Sequence, residues 1–253
     1  MFNALNVDNL TIFRSSLIDS CDHIDHAFST RSGGVSSGPY YSLNLGLNVG
    51  DCDENVFKNR NIFLKTINAS LQDLACGVQV HSSMIQKVEK PGLFKSTDGL
   101  ITNQKNIVLA IKTADCVPVL MYNPVHHTIA TVHAGWRSVK QDIISNSVNL
   151  MTTEFGAKPE EIYCAIGPSI RSCCYEVQRD MANQFPADSI ISRNDRLFLN
   201  LVRVIRTQLR ARGILPNHID DSEMCTCCHD ELFFSYRRDG TQSGRMMMAA
   251  VLH

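Results

Sequence analysis

The chain predicts a mixed α/β, or α+β, fold in a single domain over residues 1–253. Strand-like and helix-like segments are interspersed without strict alternation. No internal repeat or long linker divides the 253 residues, a length that suits one large domain or two intimate subdomains. Hydrophobic residues at 44% against 19% charged ones supply a sizeable core and exclude a wholly disordered chain.

Along the chain, Ser29–Gly50 is rich in Gly and Ser and reads as a long loop, a feature more often functional than idle in a compact domain. Asp53–Asn68 reads as a helix with Val56, Phe63 and Ile67 on one face. Gly77–Val88 alternates loosely and reads as a strand carrying Gln79 and His81. Asn106–Lys112, Val117–Tyr122 and Thr128–His133 are apolar or alternating runs that suit strands, with Asn123-Pro124 turning between the last two. His126 and His127 fall in that turn and should face solvent. Arg137–Phe155 follows as an amphipathic helix with Val139, Ile143, Ile144, Val148, Met151 and Phe155 on its apolar face, and Gly156 stops it. Glu161–Ile166 reads as a short strand, Tyr175–Phe185 and Asp195–Arg212 as helices, and the tail as short strands and turns.

With 24 Lys+Arg against 25 Asp+Glu, the formal net charge of −1 gives no global field to attract nucleic acid or an anionic membrane, and neither is expected as a partner. The N-terminal residues lack the basic and apolar regions of a secretory signal, and no run of about 18 apolar residues marks a membrane span. The ten cysteines are therefore expected to be reduced in a cytoplasmic protein, most of them as small buried hydrophobes.

His81, Cys116 and His133 stand at the ends of predicted strands, 35 and 17 residues apart. That spacing is unlike a zinc finger but suits a catalytic metal gathered from distant loops, with a fourth tetrahedral position open. Zinc there would acidify a bound water. A Cys116–His133 nucleophile pair is the equal alternative, because an adjacent imidazole activates a thiol. On spacing alone each residue also suits an ordinary packed or hydrogen-bonded role.

Ordered motifs narrow the choice. Thr113-Ala114-Asp115-Cys116-Val117-Pro118-Val119-Leu120, His133-Ala134-Gly135-Trp136-Arg137 and Gln79-Val80-His81 resemble the signatures of the laccase-domain family, also called multicopper polyphenol oxidase, peptidoglycan editing factor and purine nucleoside phosphorylase. Further similar strings include Ser42-Leu43-Asn44-Leu45-Gly46, Asn59-Arg60, Tyr175-Glu176-Val177 and Phe233-Phe234-Ser235-Tyr236-Arg237-Arg238-Asp239, and the likeness covers residues 23–248. It implies a layered α/β/β/α sandwich with mixed sheets, related to the catalytic domain of cytotoxic necrotizing factors. It also implies a zinc site made of His81, Cys116 and His133, with copper as the second candidate. The implied activity is phosphorolysis of adenosine, inosine or methylthioadenosine, with deamination of adenosine beside it. Purine nucleoside and phosphate are then the partners.

Asp115, beside Cys116, is the candidate proton shuttle, its ordinary alternative being to orient a histidine or cap a turn. Arg60 and Arg137 are candidates for a phosphate fork, and the Gly135–Ser138 entry into a helix is a candidate anion site. Asn44 is a candidate for a ribose hydroxyl or purine edge, and Trp136 is expected to pack. Ser138 and Ser82 stand where the family commonly has Gly, and Gly240–Arg245 is longer than the usual string. A copper oxidase needs many His ligands, and no His-x-His pair is present among the nine histidines. A Cys116/His133 hydrolase acting on an amide or peptidoglycan precursor is the second enzyme reading, and a zinc-stabilised binding module the third. Cys225-Thr226-Cys227-Cys228-His229 is expected to be packing or a redox-sensitive patch, because Cys227 and Cys228 are adjacent; Cys173-Cys174 is read alike.

Overall fold

The computed structural model describes residues 1–253. Two mixed sheets lie face to face. The first has seven strands, in the order Phe2–Val7, Leu10–Ser15, Ile24–Ser29, Met246–Leu252, Val108–Thr113, Leu74–Gly77 and Gly92–Phe94. The second has six, in the order Ile219–Asp221, Tyr163–Ile166, Val117–Asn123, Thr128–Ala134, Gly99–Thr102 and Ile85–Lys87. Side chains of a strand alternate between faces, so the wholly buried strands Val117–Asn123, Thr128–Ala134 and Met246–Leu252 supply two apolar layers each. Leu120 and Tyr122 meet Leu109, Ile111, Met246 and Met248 between the sheets. Val119 and Met121 face outward, under Val148, Met151, Ile205 and Leu209 from helices Ile143–Phe155 and Leu201–Ala211. Met247, Ala249 and Val251 face the opposite side, under Phe63 and Leu64 of helix Asp53–Lys65. The layers run helix, sheet, sheet, helix, as the resemblance implied. Fully buried side chains of this size each contribute about 1.5–3 kcal/mol of transfer energy.

Most predicted elements stand near their expected bounds, and four differ. Gly77–Val88 is not one strand. The strand ends at Gly77, where a Cβ would lie 2.3 Å from the Thr97 carbonyl oxygen, and pairing resumes only at Ile85. Arg137–Phe155 is two helices, Trp136–Lys140 and Ile143–Phe155, separated by Asp142 at φ 59°. Gln208, from the neighbouring helix, donates to the Val139 carbonyl at 3.0 Å and to Asp142 at 2.9 Å, satisfying groups at the break. Asp195–Arg212 begins as a strand, because Asn194 and Asp195 both have positive φ and close a hairpin between Ile190–Arg193 and Arg196–Leu199. The helix starts only at Leu201, capped by Asn200, which accepts from the Arg203 N–H at 3.0 Å. Tyr175–Phe185 holds a two-residue strand, Glu176–Val177, in a third small sheet, and a short helix, Arg179–Ala182.

The Gly/Ser-rich loop is ordered from beneath. Buried Asn59 donates to Ser36 Oγ and to the carbonyls of Ser42 and Asn44, and accepts from the Val35 N–H. No helix is long and apolar enough to cross a membrane.

Candidate metal centre and cavity

The crossover between the two sheets places Cys116. The strand Val108–Thr113 belongs to the first sheet, Val117–Asn123 to the second, and Cys116 sits in the bend between them. The hairpin Val117–Asn123/Thr128–Ala134 pairs Ala134 with Val117 and His133 with Pro118, which brings His133 beside Cys116. His81 arrives from the irregular segment after Gly77, at φ 61°. One ligand atom from each of His81, Cys116 and His133 lies within 4.8 Å of the others, and Cys116 Sγ is 3.7 Å from His81 Nε2. Sulfur and nitrogen bound to one tetrahedral zinc at about 2.3 and 2.05 Å stand roughly 3.6 Å apart, so this donor set fits the ion. Gly135 permits the approach: a Cβ there would lie 2.8 Å from His81 Cδ2 and 3.2 Å from Cys116 Sγ.

Asp98, which the motifs did not flag, organises the group. Its carboxylate, 1% exposed, pairs with His133 Nδ1 at 2.8 Å. It also accepts the backbone N–H groups of Val80, His81 and Ser82 at 3.1, 3.0 and 2.7 Å, and the Ser82 hydroxyl at 2.9 Å. Burial alone pushes this acid up, but the His133 and Ser82 bonds outweigh it and hold it down to about 2. With Nδ1–H committed to Asp98, His133 offers Nε2 to a metal. With no metal bound, Cys116 and His133 favour a thiolate–imidazolium pair. Burial opposes both charges, but their mutual attraction, with the His81 contact on Cys116 and the Asp98 bond on His133, brings Cys116 down to about 6 and His133 up to about 9.

The triangle opens into a cavity of about 720 Å³, within the range of small-ligand sites. Arg60, Lys112, Arg137, Arg237 and Arg245 line it, against one carboxylate, Asp115. None of these five cations is in an ion pair with a carboxylate. Burial pushes the Arg60, Lys112 and Arg245 cations below their ordinary values. Trp136, Tyr175 and Tyr236 supply aromatic faces, and Arg137 lies over the Trp136 ring at 4.4 Å.

The other sequence candidates fall in different places. Arg60 lines the cavity, with Nε bound to the Leu45 carbonyl at 3.0 Å. Arg137 lines it too, on a helix only five residues long. Asp115 lines the cavity with both oxygens engaged, accepting from Thr226 Oγ1 at 2.7 Å and the Arg237 N–H at 2.6 Å. Asn44 is wholly buried behind the wall. Its amide donates to the Gly46 carbonyl and Asp51, and its oxygen accepts the N–H of Gly46 and of Arg245, so it positions Arg245. His126 and His127 are exposed in their turn, as expected. The structure also gathers Cys173, Cys174, Cys225 and Cys228, leaving Cys227 outside the group.

Comparison with known proteins shows the family and agrees with the fold. The profile of the family described as multi-copper polyphenol oxidoreductase laccase matches residues 25–253. A Bacillus subtilis protein named purine nucleoside phosphorylase YlmD is 37% identical over 237 residues, covering 87% of this chain and 85% of that protein. The crystal structure of a Bacillus licheniformis protein titled hypothetical protein YfiH aligns at TM-score 0.92 and 32% identity, over 100% of this chain and 99% of that one. The structure of YlmD from Geobacillus stearothermophilus aligns at 0.91 and 32%, over 98% of each. The chain thus belongs to the multi-copper polyphenol oxidoreductase laccase family, whose similar members include proteins named purine nucleoside phosphorylase.

Proposed function

We propose that this chain is a zinc-dependent purine nucleoside phosphorylase acting on adenosine, inosine or methylthioadenosine, with adenosine deamination as a second activity. The observation that carries the reading is the convergence of five unpaired cations around a His/Cys/His group in one cavity. Arg60, Lys112 and Arg245 are desolvated without a carboxylate partner and gain from an anion, Arg137 and Arg237 stand more exposed on the same cavity, and phosphate is the anion that phosphorolysis requires. A zinc ion held by His81, Cys116 and His133 would supply a Lewis acid and an acidified water. Asp98 holds the His133 ring and the His81 backbone in place. Lys112 and the arginines bind and orient phosphate, while Trp136, Tyr175 and Tyr236 offer ring faces to a purine. In phosphorolysis a phosphate oxygen bonds C1′ of the ribose as the C1′–N9 bond breaks; the bond's electrons leave with the purine, which takes up a proton.

The family's oxidase description finds less support in this donor set. Of nine histidines, only His81 and His133 belong to a metal-capable group. The ten free cysteines support a reducing, cytoplasmic setting. The thiolate–imidazolium tendency of Cys116 and His133 favours a second reading, a cysteine hydrolase.

Chromatography of the purified protein with each nucleoside, with and without phosphate, tests the proposal. Phosphate-dependent release of free base is expected, and Lys112→Met raises the phosphate KM about 10- to 100-fold through one lost charge-assisted hydrogen bond. Inosine formed from adenosine without phosphate marks the deaminase activity. Absence of both products from metal-loaded protein refutes the proposal. A hydrolase activity indifferent to chelators but abolished by thiol alkylation would put the cysteine reading in its place.

A further inference from the structure

Two turns meet beside the cavity wall. Arg171–Tyr175 forms one, in which the Arg171 carbonyl accepts the N–H of Cys174 at 2.9 Å and of Tyr175 at 2.8 Å. Cys225–His229 forms the other, closed by the His229 N–H on the Cys225 carbonyl at 3.2 Å. A bridge between Ser169 and Cys225 ties the segments, through Ser169 N–H to the Met224 carbonyl and Thr226 N–H to the Ser169 carbonyl. Cys173 and Cys174 project from the first turn, Cys225 and Cys228 from the second. Their sulfurs all lie within 4.8 Å of one another, with Cys173–Cys228 at 3.5 Å and Cys174–Cys228 at 3.3 Å.

We propose that Cys173, Cys174, Cys225 and Cys228 form a second metal site, a structural tetrathiolate zinc centre separate from the His/Cys/His group. Four thiolates on one zinc at about 2.3 Å stand roughly 3.8 Å apart; the Cys173–Cys228 and Cys174–Cys228 separations of 3.5 and 3.3 Å lie close below that value, and no pair exceeds 4.8 Å. Cys225-x2-Cys228 has the ligand gap of structural zinc sites, and residues Cys173 and Cys174 complete a closed four-sulfur set. A disulfide joins only two sulfurs, at about 2.05 Å, and leaves the other pair crowded against it.

The surroundings suit the charge. Four thiolates around a divalent ion leave two negative charges, and three arginines bond the carbonyls of these turns, Arg171 and Arg238 while also paired with Asp221 and Asp239 and Arg237 with no carboxylate partner. Arg171 reaches the Met224 carbonyl at 3.3 Å, Arg237 the Cys174 carbonyl at 3.3 Å, and Arg238 the carbonyls of Thr226 and Cys227 at 3.2 and 3.3 Å. The Arg171 N–H also points at Cys225 Sγ, 3.4 Å away, as backbone amides do toward a metal-bound thiolate. Binding zinc releases the thiol protons and cross-links two segments about 50 residues apart in the chain. Those segments carry Tyr175, which lines the cavity, and Thr226, which bonds Asp115, so the centre fixes one wall of the nucleoside cavity without touching its ligands.

The test is metal content of the full chain purified under reductant, by elemental mass spectrometry. Two zinc ions per chain are expected. Cys225→Ser with Cys228→Ser removes one, and His81→Ala removes the other. Because the double variant risks misfolding, the wild-type protein is also footprinted with a thiol alkylating agent. Cys173, Cys174, Cys225 and Cys228 are expected to resist until a strong chelator is added, while exposed Cys52 and neighbouring Cys227 react at once. One zinc per chain, with exposed Cys173 and Cys228 as reactive as Cys52 whether or not chelator is added, overturns the proposal. So does a Cys173–Cys228 or Cys174–Cys228 disulfide in protein kept reduced. Neither readout needs turnover, so the proposal stands or falls independently of the phosphorylase reading.

Discussion

Replacing Asp98 by Asn leaves the side chain's shape but removes half of what it does. Oδ1 takes His133 Nδ1 and the His81 N–H, while Oδ2 takes the N–H groups of Val80 and Ser82 and the Ser82 hydroxyl. An amide has one accepting oxygen. If that oxygen stays with His133, the NH2 group confronts the Val80 and Ser82 N–H donors and the turn that delivers His81 loosens. If it flips, the NH2 group faces His133 Nδ1, which must then lose its proton and leave the proton on Nε2, the nitrogen a metal needs. Either way the metal group is disordered. Loss of an outer partner of this kind weakens metal binding about 10- to 100-fold, or about 1.4–2.8 kcal/mol. Each donor left facing no acceptor costs about 1–3 kcal/mol of folding stability in addition. Zinc Kd is measured by competition with a chromophoric chelator, and folding by thermal and urea melts. An unchanged zinc Kd in a folded Asp98→Asn protein would show that Asp98 does not orient His133 toward a metal.

Two further outcomes follow from the same geometry. Gly135→Ala introduces a Cβ against the His81 ring and the Cys116 sulfur; zinc affinity is expected to fall while the circular-dichroism melt stays near wild type, since the ring gives way before the backbone, and wild-type affinity refutes the close-approach account. His26, wholly buried, accepts the Ser15 N–H at 2.9 Å on Nε2; burial, then the Arg14 charge, lowers its pKa from 6.5 to about 3. The unfolded chain therefore binds a proton that the folded chain refuses, so this stability is present above pH 6.5 and is lost as pH falls toward about 3. The loss reaches about 2 kcal/mol by pH 5. Urea melts at pH 7 and pH 5 should show that extra loss in wild type but not in His26→Gln, and an equal loss in both contradicts the assignment.

Local pattern located the strands and helices that periodicity can report. Val117–Asn123 and Thr128–Ala134 are buried on both faces and read as continuous apolar runs, so their existence was legible. The break at Asp142 was not, because the groups that satisfy it come from Gln208, 66 residues away. Asn194-Asp195 carry a hairpin signal in their side chains, which the helical periodicity of Leu201–Ala211 masks along the sequence.

The residue types and order of His81, Cys116 and His133 determined that a thiol and two imidazoles would end three separate segments, and composition determined that the chain could bury a core around them. Only the tertiary structure decided that these ends meet, because the meeting depends on a crossover between two sheets and the register of one hairpin. It alone placed Asp98 behind His133, turned Asn44 away from the cavity, and drew five scattered cations onto one surface. It also joined Cys173-Cys174 to Cys225 and Cys228. The physical reason is common to all five. Local propensity acts over a few residues along the chain, whereas electrostatic pairing and metal geometry act over a few ångströms of space, and here partners from different segments lie 16 to 201 residues apart in sequence.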